Sequence, residues 1–132
     1  MEKTLVLIKP DAVRAGKIGE IISMFEAKKF KIDAMLMFRF TNEIVERFYA
    51  VHREKDFFPD LLKFMTSGNT IAMIVSGQNT VSRVRNLIGP TDPAECEPDT
   101  VRGRFATSVR RNAVHASDSH EHYLIEKEVI FG

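Results

Sequence analysis

Phe30-Lys-Ile-Asp-Ala-Met-Leu-Met-Phe-Arg-Phe40 sets Phe30, Ile32, Ala34, Leu36, Phe38 and Phe40 against Lys31, Asp33, Met35, Met37 and Arg39. A period of two is that of a strand, whose side chains alternate between the two faces of a sheet. Upstream, Thr4-Leu-Val-Leu-Ile8 is a compact aliphatic run closed by Lys9-Pro10, which reads as a buried strand with a cation at its carboxyl end. Between these two, Ile18, Ile21, Ile22 and Phe25 recur at helical spacing, and Lys28-Lys29 follow where cations favour a helix C-terminus. Downstream, Thr41 or Asn42 caps a helix whose stripe is Ile44, Val45 and Phe48. Phe57, Phe58, Leu61, Leu62 and Met65 make another, with Pro59 in its first turn and Gly68 at its end. Thr70-Ile-Ala-Met-Ile-Val-Ser76 is the third strand, and Val81, Val84, Leu87 and Ile88 a helix ended by Gly89-Pro90.

From Gly89 to about Ser119 the periodicity lapses, with Pro90, Pro93 and Pro98 spread through it. An irregular stretch of that length inside a small domain points to function. Lys127-Glu-Val-Ile-Phe131 is the expected fourth strand. The order strand, helix, strand, helices, strand, helix, long loop, strand is that of an α+β, ferredoxin-like (split βαβ) sandwich, a four-stranded antiparallel sheet with helices packed on one face. In that layout Lys9, at the end of the first strand, is able to meet the loop that carries His115.

The length suits a single domain over residues 1–132. A net charge of +1 nominates neither a nucleic acid nor a membrane as partner, and apolar runs such as Ile71–Val75 are far too short to span a bilayer. Met1-Glu-Lys-Thr leads straight into a strand with no features of a secretory leader, so a cytoplasmic location is expected. Cys96 is the only cysteine, which rules out an intrachain disulfide and a thiolate metal cluster.

The chemistry concentrates in the irregular stretch. Between Arg83 and Arg111 there are six Arg and no Lys, and Asn112-Ala-Val-His115-Ala-Ser117-Asp118 follows directly. Arg presents a planar, permanently charged donor fork that grips phosphate oxygens in pairs, and histidine is a nucleophile or base at neutral pH. A lone loop histidine is more often a surface or packing residue, so the neighbours carry the weight. No Gly-x-x-x-x-Gly-Lys-Ser/Thr and no Gly-x-Gly-x-x-Gly occurs, so any phosphate must be held by side chains, for which Lys9, Arg85 and Arg102 are available. Phe57 or Tyr49 offers an aromatic face for a base. Two rival classes stand beside this reading. His115, Asp118, His120 and His122 offer metal ligands at close spacing, and ferredoxin-like sheets often present aromatics to RNA bases, although the glycine-aromatic signature of that class is missing here.

These segments, with Leu7-Ile-Lys9-Pro10-Asp11, Thr91-Asp-Pro93, Thr100-Val-Arg102-Gly103, Phe48-Tyr49, Phe57-Phe58 and Met65-Thr-Ser67-Gly68, resemble the nucleoside diphosphate kinase family over essentially the whole chain. The resemblance implies ping-pong transfer of the γ-phosphoryl group from a nucleoside triphosphate, mainly ATP, to His115 and then to a nucleoside diphosphate, with low base specificity. It implies that Lys9 and Asn112 contact the sugar hydroxyl and phosphate edge, that Arg85, Thr91 and Arg102 clamp the phosphates, that Phe57 stacks on the base, and that Tyr49 orients the cluster. Mg²⁺ would arrive on the nucleotide phosphates, with no protein ligand of its own. Ser117 and a glutamate would fix the histidine. Glu128 is the match for that glutamate, with Glu126 its competitor because the chain before Glu128 is about two residues longer than is usual in the family. A homo-oligomer, tetramer or hexamer, is implied, and the apolar outer residues of the second strand are a place for subunits to meet. Ala116 stands where glycine is commoner, which matters only if that position requires φ > 0.

Overall fold

The computed structural model describes residues 1–132. Strands β1 (Glu2–Ile8), β2 (Lys31–Arg39), β3 (Asn69–Gly77) and β4 (Val114–Ala116) form one antiparallel sheet in the order β2-β3-β1-β4. Because β1 and β3 are the two inner strands, both of their faces are covered, and this is why each reads as an unbroken aliphatic run. The edge strand β2 alternates as its sequence predicts, except for an irregularity between Ile32 and Ala34 that displaces Asp33 from the ladder.

The helices are α1 (Pro10–Arg14), α2 (Ile18–Ala27), α3 (Asn42–Phe48), α4 (Phe58–Met65), α5 (Thr80–Ile88), α6 (Val101–Phe105) and α7 (His120–Phe131). They cover both faces of the sheet, not one. Val6, Ile8, Ile71, Met73 and Val75 point to the face packed by Ile21 and Phe25 of α2 and Val84, Leu87 and Ile88 of α5. Leu5, Leu7, Ala72 and Ile74 point to the other, where Val45 and Phe48 of α3, Leu61 and Met65 of α4 and Tyr123 of α7 close over them. A sheet packed by helices on both faces leaves no open platform on its inner strands for bases to stack on, the feature that the RNA-binding alternative rested on.

Local chemistry explains where the helices start. Thr41, not Asn42, caps α3 by accepting from Ile44 N at 3.2 Å. Thr100 Oγ1 caps α6 through Gly103 N at 2.9 Å, and Ser119 Oγ caps α7 through His122 N at 3.0 Å. Gly103 has no substitute, since an added Cβ would lie 2.0 Å from Glu97 O. Gly89 ends α5 at φ +86, a conformation that costs glycine nothing.

Two expectations are corrected. The stretch from Gly89 to Ser119 is not one loop but holds a short 3-10 turn (Pro93–Glu95), α6 and β4. Lys127–Phe131 is not a strand; it is the last turn and a half of α7. Short apolar runs are ambiguous between helix and strand. Here the place beside β1 is taken by Val114–Ala116, and Val129, Ile130 and Phe131 bury against the second core from a helix that Ser119 has already started. No helix is long and apolar enough to cross a membrane.

Candidate active site

Pairing of β4 with β1 sets the direction of His115. In the register Val6↔Ala116, Leu7↔His115, Ile8↔Val114, His115 shares the face of Leu7 and looks toward α3 and α7. Its ring meets Phe48 and Tyr49 edge-on, with centroids at 5.2 and 6.1 Å. The three residues of β4 are too few to be held by ladder bonds alone, and side chains supply the rest. Arg102 Nη2 donates to Val114 O at 2.8 Å, Arg85 Nη1 to Ala116 O at 3.3 Å, and Asp11 Oδ2 accepts from Ala113 N at 3.0 Å. Lys9 N donates to Ala113 O at 2.8 Å. These bonds hold Ala113 at φ 73, a left-handed conformation that a non-glycine residue keeps only when its surroundings over-determine it. Ala116 has no positive φ, so the methyl group in place of glycine carries no backbone penalty.

Lys9, Tyr49, Phe57, Arg85, Thr91, Arg102, Asn112 and His115 line one open cleft of about 500 Å³, within the range of small-molecule sites. Lys9 Nζ donates to Asn112 Oδ1 at 2.8 Å and to Arg110 O at 3.1 Å, and Asn112 Nδ2 donates to Thr91 O at 3.4 Å. Burial pulls Lys9 down to about 8, with Asp11 opposing and Arg102 and Arg110 adding to the fall. Arg102 Nη1 also donates to Gly89 O at 2.9 Å, while its buried Nε has no protein partner. Burial, then the charge of Arg85, lowers its guanidinium to about 10. The buried Tyr49 hydroxyl is pushed up by desolvation and by Glu126. The wall therefore offers positive charge with no carboxylate partner around His115, an arrangement that an oligophosphate would neutralise.

Behind the histidine the glutamate is Glu126. Its Oε1 lies 3.0 Å from His115 Nε2 and accepts from Ser117 Oγ at 2.7 Å. Glu128 is exposed on another side of α7 and takes no part, because two positions along a helix turn a side chain by about 200°. The match to Glu128 goes with an expected strand over Lys127–Phe131, and the helix found there presents Glu126 to the histidine instead. A carboxylate only accepts, so the proton between the two groups sits on Nε2 and the lone pair on Nδ1.

Five further residues line the cleft without being singled out for it by the sequence: His52, Leu61, Val109, Arg110 and Val114. Arg110 belongs to the arginine run already singled out. His52 packs on Phe57 at 5.4 Å and is lowered by burial, Lys55 and His115, but nothing in its sequence context marks it. The rival metal cluster does not assemble. His120 packs on Tyr123 at 5.9 Å and His122 pairs with Asp118, while His115 faces Glu126. No trio of His, Cys, Asp or Glu side chains converges anywhere.

The family described as nucleoside diphosphate kinase matches residues 2–132. A nucleoside diphosphate kinase of Staphylothermus marinus is 57% identical over 130 residues, 98% of this chain and 92% of that protein. One of Methanocaldococcus jannaschii is 48% identical, over 98% of this chain and 93% of its own. Among solved structures, the nucleoside diphosphate kinase of Aquifex aeolicus superposes with a TM-score of 0.95 at 43% identity, covering 99% of this chain and 95% of its own. That of Encephalitozoon cuniculi reaches 0.97 at 34% identity, over 100% and 90%. Profile, relatives and fold agree along essentially the whole length, and the chain belongs to the nucleoside diphosphate kinase family.

Proposed function

We propose that in this kinase the phosphoryl group passes through His115. The observation that carries the reading is the imidazole held by Glu126 at 3.0 Å on Nε2, which turns the other nitrogen to a cleft lined with cations. In the first half-reaction the Nδ1 lone pair forms a bond to the γ-phosphorus as the bond to the β,γ-bridging oxygen breaks. The nucleoside diphosphate leaves with the electron pair. The imidazole becomes a phosphorylated cation whose Nε2 proton stays directed at Glu126, so no proton needs to leave during the transfer. The second half reverses these steps with a different diphosphate.

Phosphoryl transfer asks for in-line positioning and for charge on the equatorial oxygens. Arg85, Thr91 and Arg102 clamp the phosphates, Lys9 and Asn112 hold the sugar hydroxyl and the phosphate edge, Ser117 steadies Glu126, and Tyr49 keeps the imidazole upright. Phe57 stacks on the base, and because every base has a π-face this accepts purines and pyrimidines alike. ATP is the main donor. Mg²⁺ fits this donor set only as a passenger of the nucleotide, since the unpartnered cleft groups are cationic or amide and would repel or ignore a cation; when bound to the phosphates it neutralises their charge.

We also propose a homo-oligomer, tetramer or hexamer, assembled through β2, whose free edge shows Met35 and Met37 about half exposed beside Leu36. A cytoplasmic site of action supplies its nucleotides. The test of the catalytic reading is incubation with γ-labelled ATP and Mg²⁺. Label on the intact protein should be acid-labile, alkali-stable and chased off by GDP, and absent from His115→Ala. A His115→Ala protein that turns over normally would end the proposal.

A further inference from the structure

Arg110 has its backbone in one wall of the cleft and its side chain on the other. Its carbonyl accepts from Lys9 Nζ at 3.1 Å, which ties the main chain to the phosphate-binding floor. Its guanidinium crosses to the segment before α4, where Nη1 lies 3.5 Å from Phe57 O and Cζ lies 5.6 Å from the centre of the Phe57 ring. No carboxylate pairs with it. Phe57 is 40% exposed, and Lys55 Nζ stands 5.8 Å from the same ring. The aromatic platform thus carries at its rim a fork of donors engaged by one long contact and otherwise free.

A guanidinium only donates. Guanine turns O6 and N7 outward, and uracil or thymine turns out O4, all acceptors. Adenine keeps the N7 acceptor, but it and cytosine present an amino group where the keto oxygen of the others stands. A fork at the rim of the stacking surface attracts the exocyclic oxygen of the first set and sets donor against donor at the amino group of the second. The phosphates do not need it, because Lys9, Arg85 and Arg102 already serve the inner end.

We propose that Arg110 is a specificity-determining residue, reading the edge of the base stacked on Phe57 and favouring keto bases over amino bases. The inference rests on the kinase reading. At an exposed rim the bias should be roughly three- to tenfold, the low end of what a bidentate arginine–base pair supplies. That size leaves the broad acceptance of bases intact.

The test is chase of the phosphorylated protein by GDP, UDP, ADP and CDP, one at a time, with kcat and KM recorded for the unmodified chain, Arg110→Ala and Arg110→Lys. Keto diphosphates should lead amino diphosphates, in KM more than in kcat, and the ratio should fall to near one in both variants, since lysine keeps the charge but not the fork. An unchanged ratio overturns the proposal. So does an equal loss with all four diphosphates, which would place Arg110 on the phosphates. If the unmodified chain takes no label the kinase reading fails instead, and calorimetric affinities of the same three proteins for GDP and ADP then decide the base preference on their own.

Discussion

The two ends of the cleft are built differently. At the inner end Lys9, Arg102 and Asn112 are buried, and each is fixed by bonds of 2.8–3.1 Å to a side chain or a backbone carbonyl before any ligand arrives. At the outer end Phe57 is exposed over less than half of its surface but is held by no polar bond of its ring, and Arg110 touches its wall at 3.5 Å. Chemistry needs fixed geometry, because donors that need no reorganisation stabilise a transition state best. Recognition of any of several bases needs a surface that tolerates different shapes. The contrast teaches that rigidity is spent where the reacting atoms are common to all substrates and withheld where the substrates differ.

The contrast breaks if damage to the inner end is no worse than damage to the outer. Arg102→Lys should reduce kcat/KM on the order of 10²-fold, because the fork that spans Gly89 O and Val114 O is lost while the charge stays. It should also lower unfolding stability by about 2 kcal/mol, since two carbonyls lose a charged donor. Steady-state kinetics and chemical denaturation measure both. Next in size is Glu126→Gln, expected to cost about 10- to 10²-fold in kcat by removing the anion beside Nε2. Glu128→Gln should change kcat less than twofold, and a reversal of that order would restore Glu128 to the role that the family resemblance implies for it.

Much of this was legible in the sequence, and the failures share a cause. The inner strands, α2 to α5 and the gathering of Lys9, Arg85, Thr91, Arg102 and Asn112 in one cleft follow from periodicity, from the arginine run and from the family resemblance. The second layer of helices could not be counted from β1 and β3, because continuous aliphatic runs fit a strand buried on both faces without saying by what. The C-terminal error has the same root. Val129, Ile130 and Phe131 are β-prone residues whose helical state is decided by Ser119 at one end and by contact with the second core, not by their own preference. A strand there would leave Glu128 as the match, whereas the helix brings Glu126 to His115. Asp11 shows the limit from the other side. Its position suggests only a turn, while its actual partner, Ala113 N, lies 102 residues away.

The inner end also has a pH signature. Burial, countered by Asp11 and assisted by Arg102 and Arg110, brings Lys9 to about 8 in the free protein. If its charge grips phosphate, kcat/KM should fall about tenfold per pH unit above that value. Bound phosphates favour the charged form, so the corresponding fall in kcat should come at higher pH. The stability sign is opposite. Between about 8 and the ordinary lysine value of 10.5 the unfolded chain holds a proton that the folded chain has released, so Lys9 makes folding more favourable as pH rises through that window. Lys9→Met should lose both dependences together, and coincident alkaline limbs of kcat and kcat/KM in the parent chain would show that Lys9 does not meet the phosphates.

Among the cleft residues the smallest effect is expected at the outer end, and the pair Phe57 and Phe58 isolates it. The two rings are adjacent in sequence, yet one faces the cleft and the other is buried in the core beneath α4. Base stacking on an aromatic side chain is worth about 1–3 kcal/mol, and an open platform belongs at the low end. Phe57→Ala should therefore raise KM roughly fivefold for every nucleotide while kcat and the melting temperature barely move. Phe58→Ala should do the reverse, leaving KM near its parent value in the folded protein and costing about 3 kcal/mol of stability through the cavity it opens. If instead Phe57→Ala lowers kcat as strongly as it raises KM, the base is helping to place the γ-phosphorus. The outer end would then share in the geometry that the inner end is argued to supply alone.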